Sequence, residues 1–81
     1  MSKNARKKLS EGNELYSTGI KYMRNKNYDK SIEQFSESLK KYKRAKISEH
    51  AYNYIHINMA LSYANSGREK DKAVASRLVS L

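Results

Sequence analysis

The chain has no cysteine, no proline and no tryptophan, and only three glycines among its 81 residues. Without cysteine, neither a disulfide framework nor a thiolate metal site can form. Without proline, nothing obliges a helix to break. Gly19 and Gly67 stand apart from any glycine-rich run, so close helix packing and a helix cap account for them better than a phosphate-cradling loop. No stretch of about 18 apolar residues is present to span a bilayer. No apolar run follows the N-terminus as it would in a signal peptide. The expectation is an intracellular chain, cytoplasmic by default.

Acidic residues are also scarce, with 8 Asp and Glu against 17 Lys and Arg, for a net charge of +9. The excess is concentrated in two clusters: Lys3, Arg6, Lys7 and Lys8, and then Lys40, Lys41, Lys43, Arg44 and Lys46. Such clusters attract acidic proteins, nucleic-acid phosphates or anionic membranes without choosing among them. The second cluster wraps around its helix at about 100° per residue and forms no one-sided stripe, which favours a solvated helix end. Tyr42 within it, with Tyr52 and Tyr54 soon after, keeps base stacking open as an alternative.

What is present in quantity is helical periodicity. A first helix is expected from Ser10, which can cap it, with Glu11 and Glu14 in its first turn. Residues 1–9 would then be a basic arm ahead of a helical domain spanning 10–81. The inner face of this helix reads Leu15, Gly19, Tyr22 and Met23, and the polar stretch Asn25–Asn27 suits a turn. A second helix carries Tyr28, Ile32, Phe35, Leu39 and Tyr42 at alternating steps of four and three, flanked by Ser31 and Ser38. A third, over 48–66, has two apolar faces: Tyr52, Ile55, Met59 and Tyr63 on one, Tyr54, Ile57, Leu61 and Ala64 on the other. Gly67 is placed to close it. A fourth, over 70–81, offers Val74, Leu78 and Leu81. The fold class is therefore all-α.

Leu15, Gly19 and Tyr22 recur in spacing as His56, Ala60 and Tyr63, each at an offset of 41. A fixed offset between helical segments marks a repeat of helical hairpins. On these residues the chain resembles the tetratricopeptide repeat family. In the first copy Leu15 takes the large slot, Gly19 and Tyr22 match by type, Tyr28 follows the turn, Ser31 and Ser38 fill small slots, and Phe35 matches. Thr18 and Lys43 depart from the pattern. In the second copy Met59, Ala60, Tyr63 and Gly67 fit, and Ala73 fits with a longer turn. The offset exceeds the family's repeat of about 34 residues by roughly two helical turns, which one extra turn in each of the second and third helices would absorb.

The resemblance implies two antiparallel hairpins, four helices in all, with the first and third lining a concave groove. It implies a non-enzymatic adaptor that holds a helix or extended peptide of a partner, without a cofactor. The candidate groove residues are Tyr16, Ile20, Met23, Asn53, Ile57 and Asn58. Family members that grip acidic chaperone tails use a Lys and two Asn; here only Asn58 matches, so that specialisation is not expected. Two alternatives stand beside this reading: a basic helical protein that binds RNA or DNA, and a three-helix microtubule-interacting-and-trafficking module with its groove between the first and third helices. Val74, Leu78 and Leu81 form a candidate assembly face, because a chain this short buries only about 60% of its surface and stacking on a second chain would cover more.

No serine, histidine and carboxylate share a spacing that points to nucleophilic catalysis. His50 and His56 lie about 240° apart on a helix, which excludes a local zinc pair. The row Asp29, Glu33 and Glu37 reads as a solvated face.

Overall fold

In a computed structural model the described residues are 2–66, and they form α1 (Lys3–Arg24), α2 (Tyr28–Arg44), a short 3-10 turn (Glu49–Tyr52) and α3 (Asn53–Asn65). No strand occurs among the described residues, as the periodicity predicts. The expected fourth helix, with Val74, Leu78 and Leu81 and the closing Gly67, lies outside the described residues.

The first helix begins well before Ser10. Ser2 is its cap, accepting a hydrogen bond from the Ala5 N–H at 3.1 Å, and the basic residues at 3–8 are already helical. Lys, Arg and Ala are strong helix formers, and the capping serine outweighs the unfavourable meeting of cations with the positive end of the helix dipole. Glu11 and Glu14 consequently stand in the third turn and beyond, and the first turn contains no acidic residue.

Two glycines fix how α1 meets α2. A Cβ on Gly19 would lie 2.6 Å from Phe35 Cε1, and one on Gly12 would lie 2.7 Å from Tyr42 Cε1. Both pairs are separated by two helical turns, so the helices run antiparallel with each ring seated against bare backbone. Ser38 strengthens the same seam by donating to the Gly12 carbonyl at 2.7 Å. Ser31 donates to the Tyr28 carbonyl at 2.8 Å and shares a second bond with the Ser62 hydroxyl at 3.0 Å. Since Ser31 has one proton, Ser62 is the donor in that second bond. The small side chains expected to allow close approach are thus fully buried, and each hydroxyl is satisfied.

Both helix ends at the α1–α2 and α2–α3 turns close in the same way. The N–H groups of Asn27 and Ile47 reach back to the carbonyls of Tyr22 and Tyr42 at 2.8 and 3.2 Å. The residue before each is a lysine with left-handed backbone, Lys26 at φ 62° and Lys46 at φ 59°. The third helix starts later than expected, at Asn53, because the 3-10 turn occupies Glu49–Tyr52.

The core is Phe35, Leu39, Tyr42, Tyr52, Ile55 and Met59, drawn from the α2 stripe and one face of the chain from Tyr52 to α3. Phe35 and Ile55 have no exposed surface. The other helix-3 face does not share this burial: Ile57 is 56% exposed and Leu61 48%.

Candidate functional site: the groove between α1 and α3

Because α2 runs antiparallel to both neighbours, α1 and α3 run parallel. Their facing side chains meet through tyrosines. Tyr16 of α1 sits edge-on to Tyr54 of α3, with ring centroids 4.8 Å apart, and tilts over Phe35 at 5.7 Å. Asn58, one turn along α3, donates through Nδ2 to the Tyr16 hydroxyl at 3.1 Å and to the Tyr54 carbonyl at 3.1 Å. Below them the Tyr42 hydroxyl donates to Asn13 Oδ1 and lies 3.5 Å from the Tyr54 hydroxyl. The floor of the groove is therefore a tyrosine–asparagine network that ties all three helices together.

Burial raises the Tyr16 phenol above its ordinary pKa, and the neighbouring Tyr54 adds to the shift while the Asn58 hydrogen bond opposes it. Tyr42 is pushed well above the usual phenol range, first by burial and then by its contact with Tyr54. Both hydroxyls therefore stay neutral through the physiological range. No group of three or more His, Asp or Glu side chains that could hold a metal occurs among the described residues.

The structure distributes the sequence-derived groove residues unevenly. Tyr16, Ile20 and Asn58 come together; all are half-buried, and Tyr16 and Ile20 pack on the core. Met23 continues the same α1 stripe and is also half-buried against the core. Ile57 is exposed on α3. Asn53, exposed at the start of α3, lies one turn before Ile57, about 40° around the helix from it.

Two residues absent from that set are also exposed on α3, Tyr54 and Leu61 at 41% and 48%, and Tyr54 meets Tyr16 directly. The signal for them was available, since Tyr54, Ile57, Asn58 and Leu61 follow the spacing of one helical face. Lys21 and Arg24, both exposed, border the groove on the α1 side, where they share an open hollow with Tyr16, Ser17 and Ile20.

The other singled-out residues lie elsewhere. Lys40, Lys43, Arg44 and Lys46 are exposed around the end of α2, and Lys41 is partly buried in an ion pair with Glu11 at 2.6 Å. His56 is half-buried, its ring 6.2 Å from that of Tyr52, and His50 is exposed. Glu37 pairs with Lys40 at 3.1 Å on the surface. No helix among the described residues is long and apolar enough to cross a membrane.

Neither a protein-family model, nor a curated protein, nor a solved structure matches this chain.

Proposed function

We propose that this chain is a non-enzymatic protein-interaction module, an adaptor or scaffold subunit that holds a helix or extended peptide of a partner in the groove between α1 and α3. The observation that carries the reading is the row Tyr54, Ile57 and Leu61, exposed on one face of α3, whose first member Tyr54 meets the half-buried Tyr16 of α1. Contiguous exposed apolar surface with a polar rim is the usual form of a protein-binding site. Side chains at one-turn spacing suit the anchors of an amphipathic helix. Asn58 supplies amide hydrogen-bonding groups within the same row, and Lys21 and Arg24 favour acidic residues at the partner's edge.

A tetratricopeptide-like arrangement is the family reading we favour. It is supported by the parallel run of α1 and α3 and by matched burial at the repeat positions. Gly19 and Ala60 are both buried, Leu15 and His56 both half-buried, and Tyr22 and Tyr63 both half-buried.

The test is selection of binding peptides from a displayed library, followed by mapping of amide chemical shifts on the labelled protein. Shifts concentrated at residues 13–24 and 54–61 are expected. Ile57→Asp with Leu61→Asp should weaken the selected peptide at least about tenfold, equivalent to about 1.4 kcal/mol, without lowering the melting temperature. Shifts elsewhere, or unchanged affinity in the double variant, would remove the groove from consideration.

A further inference from the structure

The two basic clusters are remote in sequence, and antiparallel pairing of α1 with α2 places them at the same end of the molecule. Glu11 shows the convergence directly. Its carboxylate is paired with Lys41 of α2 at 2.6 Å. The hydrogen bond from Lys41 holds its carboxyl below the ordinary carboxylate range, and the charges of Lys41, Lys8 and Lys7 act in the same direction while desolvation opposes them. Lys40 is likewise occupied by Glu37. That leaves Lys3, Arg6, Lys7, Lys43, Arg44 and Lys46 exposed, with no ion pair among the described side chains.

We propose that this pole is a docking surface for the phosphate backbone of a nucleic-acid duplex. The surface is separate from the groove and does not rest on the groove reading. Three observations select the occupant. The charge is cationic and densely placed, with flexible lysines outnumbering arginines, which suits repeated point contacts to phosphates. Of the three aromatics that sequence proximity suggested as base-stacking platforms, Tyr42 and Tyr52 are 2% and 3% exposed, and Tyr54, 41% exposed, is held edge-on against Tyr16. Single-stranded binding leans on such platforms, whereas a duplex can be held without sequence preference through its backbone phosphates. Among the described residues the exposed large apolar side chains, Tyr54, Ile57 and Leu61, all lie on α3. The described residues of the pole therefore offer no apolar face of the kind by which an interfacial helix enters a bilayer.

The test uses the whole chain and fluorescent DNA and RNA duplexes of mixed sequence, about 20 base pairs long, titrated between 50 and 200 mM salt. Binding is expected to be indifferent to sequence and to weaken about a thousandfold over that range if all six cations reach phosphates. Lys3→Gln, Arg6→Gln and Lys7→Gln combined should remove about half of the salt slope, and Lys43→Gln, Arg44→Gln and Lys46→Gln combined about the other half. Circular dichroism melts confirm that each variant folds. The groove variant Ile57→Asp with Leu61→Asp should bind duplex as the parent does. The proposal is overturned if duplex is not bound at the lowest salt, or if only one triple variant changes the slope. It also fails if phosphatidylserine vesicles or polyglutamate of equal charge bind as tightly as the duplexes. DNA bound in preference to RNA, or the reverse, would identify which backbone geometry the pole fits and would support it.

Discussion

Replacing Gly19 with alanine reverses the usual sign of a glycine substitution in a helix. At an exposed helical site, alanine is more favourable than glycine by about 1 kcal/mol. At Gly19 the new methyl would lie 2.6 and 2.7 Å from Phe35 Cε1 and Cδ1, and 3.2 Å from Cζ. Comfortable carbon–carbon contact begins near 3.5 Å, so the ring would have to withdraw by about 1 Å. It has nowhere to go. Phe35 has no exposed surface, and Tyr16 covers it at 5.7 Å between centroids. Overpacking of this kind costs about 1–3 kcal/mol, and the immobile ring places Gly19 at the upper end. After the propensity gain, the net loss is about 2 kcal/mol. A domain of this size has a total stability of only about 4–12 kcal/mol, and the melting temperature should fall by about 8–16 °C. Urea melts followed by far-ultraviolet circular dichroism give the free energy directly. Ser17→Ala, at an exposed α1 position, should stabilise by about 0.5 kcal/mol and serves as the propensity control. Phe35→Leu removes the ring edge, so in that background Gly19→Ala should lose most of its penalty, a coupling of about 2 kcal/mol. Should Gly19→Ala stabilise the protein as Ser17→Ala does, α1 and α2 would not meet at this glycine and the packing of the hairpin would be wrong.

Phe35→Ala should cost about 3–5 kcal/mol in the same melts, and a loss below about 1 kcal/mol would show that the α2 stripe is not the core. Ser31→Ala strands the Ser62 hydroxyl and should cost about 1–3 kcal/mol, whereas Ser31→Ala with Ser62→Ala should be nearly neutral; equal losses would mean the two hydroxyls do not pair. Lys46→Gly should raise the melting temperature, because a left-handed lysine at φ 59° costs about 1–2 kcal/mol that glycine avoids; a fall would place φ elsewhere. Tyr16 and Tyr42 have folded pKa values above that of an ordinary phenol. Their neutral forms therefore contribute stability that is intact below pH 10 and lost as pH rises through the folded values. Absorbance at 295 nm should show these two phenols ionising last, together with unfolding, and Tyr42→Phe should shift that unfolding to higher pH.

Much of the fold was legible in the residues because α2 satisfies a single period throughout. Tyr28, Ile32, Phe35, Leu39 and Tyr42 can point only one way, and four of those five positions pack as buried or half-buried members of one core or its edge. The start of α1 was not legible from charge. A cluster of Lys and Arg reads as a solvated arm when the cap is sought at the first serine followed by glutamates, and Ser2, seven residues before Leu9, the first large apolar side chain of the helix, competes poorly as a signal. Gly12 escaped notice for a related reason. Its partner is Tyr42, and only the matching two-turn separation from Gly19, equal to that of Phe35 from Tyr42, shows that both glycines serve one seam.

The site was legible in kind but incomplete in membership. The periodicity of the third helix predicts two apolar faces, and periodicity alone gives them equal rank. What separates them is the register set elsewhere. Ser31 reaches Ser62 and Tyr16 reaches Tyr54 and Asn58, so α3 is rotated until Tyr52, Ile55 and Met59 fill the core. Ile57 and Leu61 are then left outward. Those contacts span 31 and 42 residues, distances over which no local pattern carries information. The same non-local register turns two ordinary basic clusters into one pole, and it separates that pole from the apolar row. Among the described residues the two basic clusters and the exposed apolar row of α3 thus share no side chain, so each can be altered by substitution while the other is held constant.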